Sequence, residues 1–178
     1  FIMDKINELN ATDGGIKLYK EKGVTRAPSL SSYNEIYFIV SGEVEFNMDN
    51  KTQVATFGEV VCIPALKMYG YSSDDAEVWH LVFGERYLAD FNDCYQSMIL
   101  PYFLRDVRFN KKALSILREE LLSADATELE KRTALNYFFA KSAVKYGVVK
   151  KEYESDSQIA DIVNFINSNY DKEITLDY

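Results

Sequence analysis

Between Tyr33 and Pro64 apolar and polar positions alternate in short runs, broken by turn signals at Ser41-Gly42, Asp49-Asn50 and Phe57-Gly58. A period of two over four to eight residues predicts strands with one buried face. In Glu43–Met48 the residues Glu43, Glu45 and Asn47 are polar while Val44, Phe46 and Met48 are apolar. One face of that strand meets a core and the other meets water. Asp49-Asn50-Lys51 is a predicted hairpin tip, because Asp and Asn tolerate the left-handed backbone such a turn requires. The pattern reads as an antiparallel meander. Upstream, Ile16–Glu21 and Gly23–Pro28 fit two further strands joined across Lys22-Gly23. Downstream, Lys67–Tyr71 and Ala76–Phe83 flank a turn at 72–75. On the last of these, Val78, His80 and Val82 share one face, and Trp79, Leu81 and Phe83 the other. Trp79 and His80 therefore cannot look into the same cup.

Beyond Gly84 the period changes to that of helices. Tyr87–Leu100 predicts a short helix stopped by Pro101. Asn110–Ser123 opens with Asn110 as a candidate cap and carries Leu114, Leu117 and Leu121 at helical spacing. Thr127–Tyr146 repeats the pattern with Leu135, Phe138, Phe139, Ser142 and Tyr146, and Gly147 closes it. Two amphipathic helices joined by a few residues predict an antiparallel hairpin with one face on the barrel. A second flank (Ala113, Ile116, Ala134 and Tyr137) would suit a twin subunit. Residues 148–156 read as a charged linker. Ser155 and Gln158 fit a capping box before an apolar stripe of Ile159, Ile162, Val163, Ile166 and Tyr170. Thr175 then looks like the cap of a further helix, so the natural protein is expected to continue past Tyr178. Residues 1–15, ending in a turn-rich cluster, are expected to form an arm or a short helix before the barrel.

Composition narrows the functions. Of the 178 residues 47% are apolar and 14% aromatic, ample for a packed core. A net charge of −8 without a basic stripe predicts poor nucleic-acid binding by this chain and no attraction to an anionic membrane. The longest apolar run, Val60–Leu66, is too short to span a bilayer, so a cytoplasmic location is expected. Cys62 and Cys94 lack a partnered spacing and read as free thiols, with one disulfide left open. There is no Gly-rich phosphate loop, Cys/His cluster or nucleophile elbow.

The spacings around the meander resemble the two cupin motifs: Glu35 and Gly42 stand as E-x6-G, and Gly58 and Pro64 as G-x5-P. The resemblance implies a small double-stranded jelly roll with a pocket inside. The sequence departs from the motif where a metal would sit. Residues 28–31 offer no His, and Tyr69 stands at the later motif His. One carboxylate cannot hold a transition metal, which needs three or four ligands. No metal or cofactor is therefore expected. The segment IADIVNFINSNYDKEITLDY, residues 159–178, looks like the opening of the DNA-binding domain of AraC/XylS transcription regulators. Barrel, helix hairpin and C-terminal stub in that order resemble the family along the whole chain. The resemblance implies a fold that is mainly β with α: an N-terminal arm at 1–15, a cupin-like effector-binding barrel at 16–84, and a helical dimerisation region at 85–147. A linker at 148–156 and the start of a truncated helix-turn-helix domain at 157–178 would follow. Its implied partners are a small-molecule effector (sugars among the candidates), a second copy through helices in 110–146, and DNA through the missing domain alone.

Five residues are candidate ligand contacts. Arg26 is the one basic residue of its strand, either solvent-facing or suited to hold a carboxylate or hydroxyls bidentately. Glu35 would point inward with Tyr37 and Ile39, unless it is a salt-bridged or rim carboxylate. Tyr69 offers a phenol at the motif His position or a core contact to a neighbour, and aromatic faces suit sugars and planar effectors. His80, the single histidine, reads as structural or as a pocket contact and not as a catalyst. No catalytic residue is assigned. A stand-alone cupin enzyme, a sugar isomerase or epimerase using His80 and a Tyr as acid and base, is the rival reading. A carbohydrate-binding module is weaker, given the helix hairpin and the absence of a secretion signal.

Overall fold

Eight strands precede the helices: β1 (Ile16–Lys22), β2 (Thr25–Ser29), β3 (Asn34–Ser41), β4 (Glu43–Met48), β5 (Lys51–Thr56), β6 (Val60–Ile63), β7 (Tyr69–Ser72) and β8 (Glu77–Phe83). A 3-10 turn (Glu85–Leu88), helix α1 (Ala89–Cys94) and the short strands β9 (Met98–Ile99) and β10 (Phe103–Leu104) follow. Helices α2 (Val107–Leu122) and α3 (Glu128–Tyr146) and strand β11 (Val149–Lys150) complete the order. The computed structural model describes residues 15–151. Most of the expected N-terminal arm, the capping box at Ser155 and Gln158, and the stripe and helix start at 157–178 lie outside the described residues.

One sheet runs β1-β8-β3-β6-β10 and a second β2-β7-β4-β5, with antiparallel pairing throughout. Among the described residues the fold is mostly antiparallel β with three α-helices, a cupin-like jelly roll. β4 alternates exposed and buried at every position, as its polar pattern requires. Asp49 and Asn50 both take positive φ, 51° and 57°, at the hairpin tip to β5. β1 and β2 are consecutive but do not pair. β1 lies against β8 and β2 against β7, so the chain changes sheet at Gly23. Local periodicity finds such strands without finding their partners.

β3 sits at the centre of the larger sheet and is buried on both faces from Asn34 to Ile39. Its odd positions Tyr37 and Ile39 join Phe46, Val61, Tyr69, Tyr71 and Val78 in a core between the sheets. Its even positions Ile36 and Phe38 join Leu81 and Phe83 in a second core under the helices. Leu114 and Leu117 of α2 and Leu135, Phe138 and Phe139 of α3 close that layer. Phe38 meets Phe138 with ring centroids 5.8 Å apart, and Phe83 meets Phe139 at 5.9 Å. Each such buried side chain contributes about 1.5–3 kcal/mol through area removed from water. Trp79 faces this helical layer, where the Arg118 guanidinium lies 4.6 Å from its ring, and His80 faces the barrel.

Three expectations change in detail. α2 begins at Val107, capped by Asp106, whose carboxylate accepts from the Phe109 amide, so Asn110 is not the cap. Asn110 lies one turn inside, buried, and its amide donates to Gly58 O at 3.0 Å and Leu104 O at 2.7 Å. The long-range acceptors win the side chain that the local pattern offered to the helix start. The stretch 87–100 is a 3-10 turn, a short helix and a strand, where one helix was expected. Val149–Lys150, in the expected linker, pairs with Met98–Ile99.

Gly58 seats α2 on the barrel. Its φ is +83°, and a Cβ there would lie 2.4 Å from Val107 Cγ1. Gly58→Ala is expected to cost about 2–3 kcal/mol from left-handed strain and overpacking together. Adding Val107→Ala should recover the overpacking share in urea unfolding and leave the backbone share.

Candidate functional site

The five candidate residues converge. Arg26 reaches in from β2, Glu35 and Tyr37 from β3, Tyr69 from β7 and His80 from β8. β-strand alternation makes this possible: register sets Tyr37 opposite His80 and Arg26 opposite Tyr71, so all present the barrel side. The Glu35 carboxylate, fully buried, is the hub. Arg26 Nη1 donates to its Oε1 at 3.1 Å and Oε2 at 3.3 Å. The Tyr37 hydroxyl donates to Oε2 at 2.9 Å, and His80 Nε2 lies 2.8 Å from the same oxygen.

One proton per hydroxyl fixes the direction of the remaining bonds. Tyr37 gives its proton to Glu35, so Tyr69 donates across the 2.7 Å contact between the two phenols. Tyr69 in turn accepts from Arg26 Nη1 at 2.8 Å. A ring of mutually polarised bonds results, running from guanidinium through two phenols to carboxylate. On its far side His80 Nδ1 meets the Tyr19 hydroxyl at 2.8 Å and Glu21 Oε2 at 3.2 Å. Arg26 Nε donates to Ser29 Oγ at 2.7 Å.

The titration of the hub follows from these contacts. Burial alone would raise the Glu35 pKa, but the hydrogen bond and charge of His80 and the charge of Arg26 outweigh it and hold the carboxyl well below the usual range. Burial alone would lower the His80 pKa, but the bonds and charges of Glu21 and Glu35 outweigh it and raise it. Arg26 and His80 thus face the carboxylates of Glu35 and Glu21 at ion-pair distance.

Two polar groups are left over. The Tyr71 hydroxyl is buried without a hydrogen-bond partner. Arg26 uses Nε and Nη1, and its Nη2 has no partner among the described residues. Tyr37, Tyr69, Tyr71 and Phe46 fill the space around them, with Tyr37 stacked on His80 at 4.1 Å. Sequence reasoning missed Tyr19, Glu21 and Tyr71. Tyr71 follows Tyr69 by two positions, a spacing that shares a face. Tyr19 and Glu21 share a face in the same way, but their approach to His80 depends on the β1–β8 pairing. Among the described residues no group of three His, Cys, Asp or Glu could hold a metal ion, and no helix is long and apolar enough to cross a membrane. Cys62 and Cys94 are free thiols.

A jelly roll with a polar, aromatic-lined centre and a helical layer behind it is the class this geometry defines. No family model matches the chain, and no curated protein matches it. Solved structures are similar to it. ToxT from Vibrio cholerae with an unsaturated fatty acid bound aligns over 91% of this chain and 65% of its own, at 16% identity and a TM-score of 0.56. An apo variant of ToxT from the same organism aligns over 90% and 66%, at 17% identity and a TM-score of 0.55. EutQ from Clostridium difficile aligns over 43% and 61%, at 22% identity and a TM-score of 0.35, too distant to weigh. The chain thus spans about two thirds or less of the length of these structures. The likeness to ToxT is one of fold.

Proposed function

We propose that this chain is the effector-sensing and dimerisation region of an AraC-type transcription regulator. The barrel takes a small molecule, and the helices behind it pass the change to a C-terminal helix-turn-helix domain that reads DNA. The observation that carries the reading is the Tyr71 hydroxyl, buried without a hydrogen-bond partner beside the Glu35 hub, together with Arg26 Nη2, which has no partner among the described residues. They offer donors to a carboxylate or a hydroxyl-rich molecule. The resemblance of residues 159–178 to the AraC/XylS DNA-binding domain supports the reading. So does the shared fold with ToxT, a regulator of that family. One of the ToxT structures holds a fatty acid, and another a naphthalenyl butenoic acid. Small acids accordingly join sugars among the effectors to test. The aromatic rings fill the interior, so ligand entry parts them and shifts β3 and β8, whose outer faces carry the helices.

The rival, a sugar isomerase or epimerase, has less behind it, since both ring nitrogens of His80 are taken by protein groups. A thermal-shift screen of small acids and sugars tests the proposal. At a hundredfold excess over Kd, a binder raises Tm by about 5–10 °C. Arg26→Gln should remove that shift, and Lys111→Gln on the helical surface should leave it intact. A binder indifferent to Arg26 would count against the barrel site.

Dimerisation belongs to the same proposal. Ala113, Ile116, Ala134 and Tyr137 line an apolar groove of about 220 Å3 along the α2–α3 hairpin, and Tyr137 is 49% exposed. Light scattering at micromolar concentration should give a dimer, and Ile116→Lys should give a monomer that still folds. A monomeric parent chain would contradict this part.

A further inference from the structure

Between the five-stranded sheet and the segment that follows β8 lies a second cavity, of about 150 Å3, which Glu35 and Ile63 also border. Its apolar wall is made by Ile36 and Cys62 from the sheet, Phe83 from the end of β8, Phe91 from α1 and Leu100 after β9. An apolar cavity of about this volume accommodates a guest the size of one benzene ring. The rim is different. Glu85 stands there with its carboxylate held by two neutral amides, Asn34 Nδ2 on Oε2 at 2.8 Å and Asn92 Nδ2 on Oε1 at 2.9 Å. Asn34 is itself fixed, because its Oδ1 accepts from the Ala65 amide at 3.1 Å. Among the described residues Glu85 has no ion-pair partner. Lys151 also lines the rim but has interactions of its own.

We propose that this cavity is a binding site for a small apolar molecule with a cationic amine head, its ring or short chain against Ile36, Phe83, Phe91 and Leu100 and its ammonium on Glu85. The chemistry selects that class. A carboxylate oriented by amides keeps lone pairs for a charged donor and repels an anion. A bare hydrocarbon gains from the walls and nothing from the rim. The site does not rest on the effector reading: Glu35 borders the cavity, but its carboxylate is bonded to Arg26, Tyr37 and His80, while Ile36 points to the other face of the sheet.

Methyl NMR of the full chain tests this, with benzylamine, toluene and benzoate as probes. Benzylamine should shift the Ile36, Leu88 and Leu100 methyls saturably, and benzoate should bind at least about tenfold more weakly. Glu85→Gln should weaken benzylamine by about tenfold or more and leave toluene unchanged. Cys62→Leu, which fills the wall, should weaken both; if that variant fails to fold, the Glu85→Gln comparison still decides. The proposal is overturned if benzylamine leaves those methyls unmoved, or if benzoate binds as tightly. It is also overturned if Glu85→Gln changes stability but not affinity, because the carboxylate is then only a tie between β3 and α1. Shifts at Val44 and Val78 in place of Ile36 would put the amine in the barrel and refute this site without touching the effector reading.

Discussion

Glu35→Gln is expected to destabilise the fold by about 3–5 kcal/mol in urea unfolding near neutral pH, the range for breaking a buried charge pair by removing one partner. Shape is conserved, so the loss comes from the missing charge and from an amide nitrogen that donates where a carboxylate oxygen accepted. Arg26 and His80, 11% and 1% exposed respectively, are left on either side of a neutral amide. The pH dependence has a definite sign. Glu35 has a folded pKa below its ordinary value near 4.5, so its contribution is present above that value and is lost as pH falls through the folded pKa. His80 has a folded pKa above its ordinary value near 6.5, so its contribution is full below that value and is lost as pH rises through the folded pKa. The hub therefore contributes most between about pH 4.5 and 6.5. The gap between parent and Glu35→Gln should narrow as pH falls below that window. A gap that does not change with pH would mean the hydrogen bonds, and not the charges, hold the centre.

Asn110→Ala is the second large effect, about 3–5 kcal/mol, because a buried group left unpaired costs about 1–3 kcal/mol and this change strands two carbonyl oxygens and removes an acceptor from a third, half-buried group. Gly58 O and Leu104 O lose their donor, and the Tyr146 hydroxyl loses the acceptor it reaches at 2.9 Å. The Asp106 amide also donates to that hydroxyl, at 3.1 Å, so the start of α2, the end of α3 and the turn before β6 meet at one amide. Asn110→Asp should be at least as damaging, since a carboxylate would face two carbonyl oxygens with nothing to donate. Urea unfolding in which the aspartate variant equals the parent would show that these bonds contribute little.

Much of the fold was legible in the sequence because alternation in strands is local. The burial of β4, the left-handed tip at Asp49-Asn50 and the opposite faces of Trp79 and His80 follow from spacing alone. The inward side of Glu35 with Tyr37 was legible for the same reason, whereas Arg26 and His80 also fitted solvent-facing or structural readings, and their meeting at Glu35 follows from strand pairing. What was hidden depends on partners far away in the chain. Tyr19 and Glu21 belong to the hub only because β1 pairs with β8, 61 positions separating Tyr19 from His80. Asn110 looked like a cap, and its role is set by a carbonyl 52 positions earlier. The pairing of Val149 with Ile99 has no local signal, because strands of two residues carry no period.

His80 supplies the most direct test, because the chain has one histidine and its imidazole gives a single, assignable set of NMR signals. The ring is stacked on Tyr37 and bonded to Glu35, at the centre of the barrel. If the barrel senses the effector, any acid or sugar that raises the melting temperature moves the His80 ring signals saturably, with the same Kd as the thermal shift. A stabilising ligand that saturates the chain and leaves the His80 signals where they were would contradict the account.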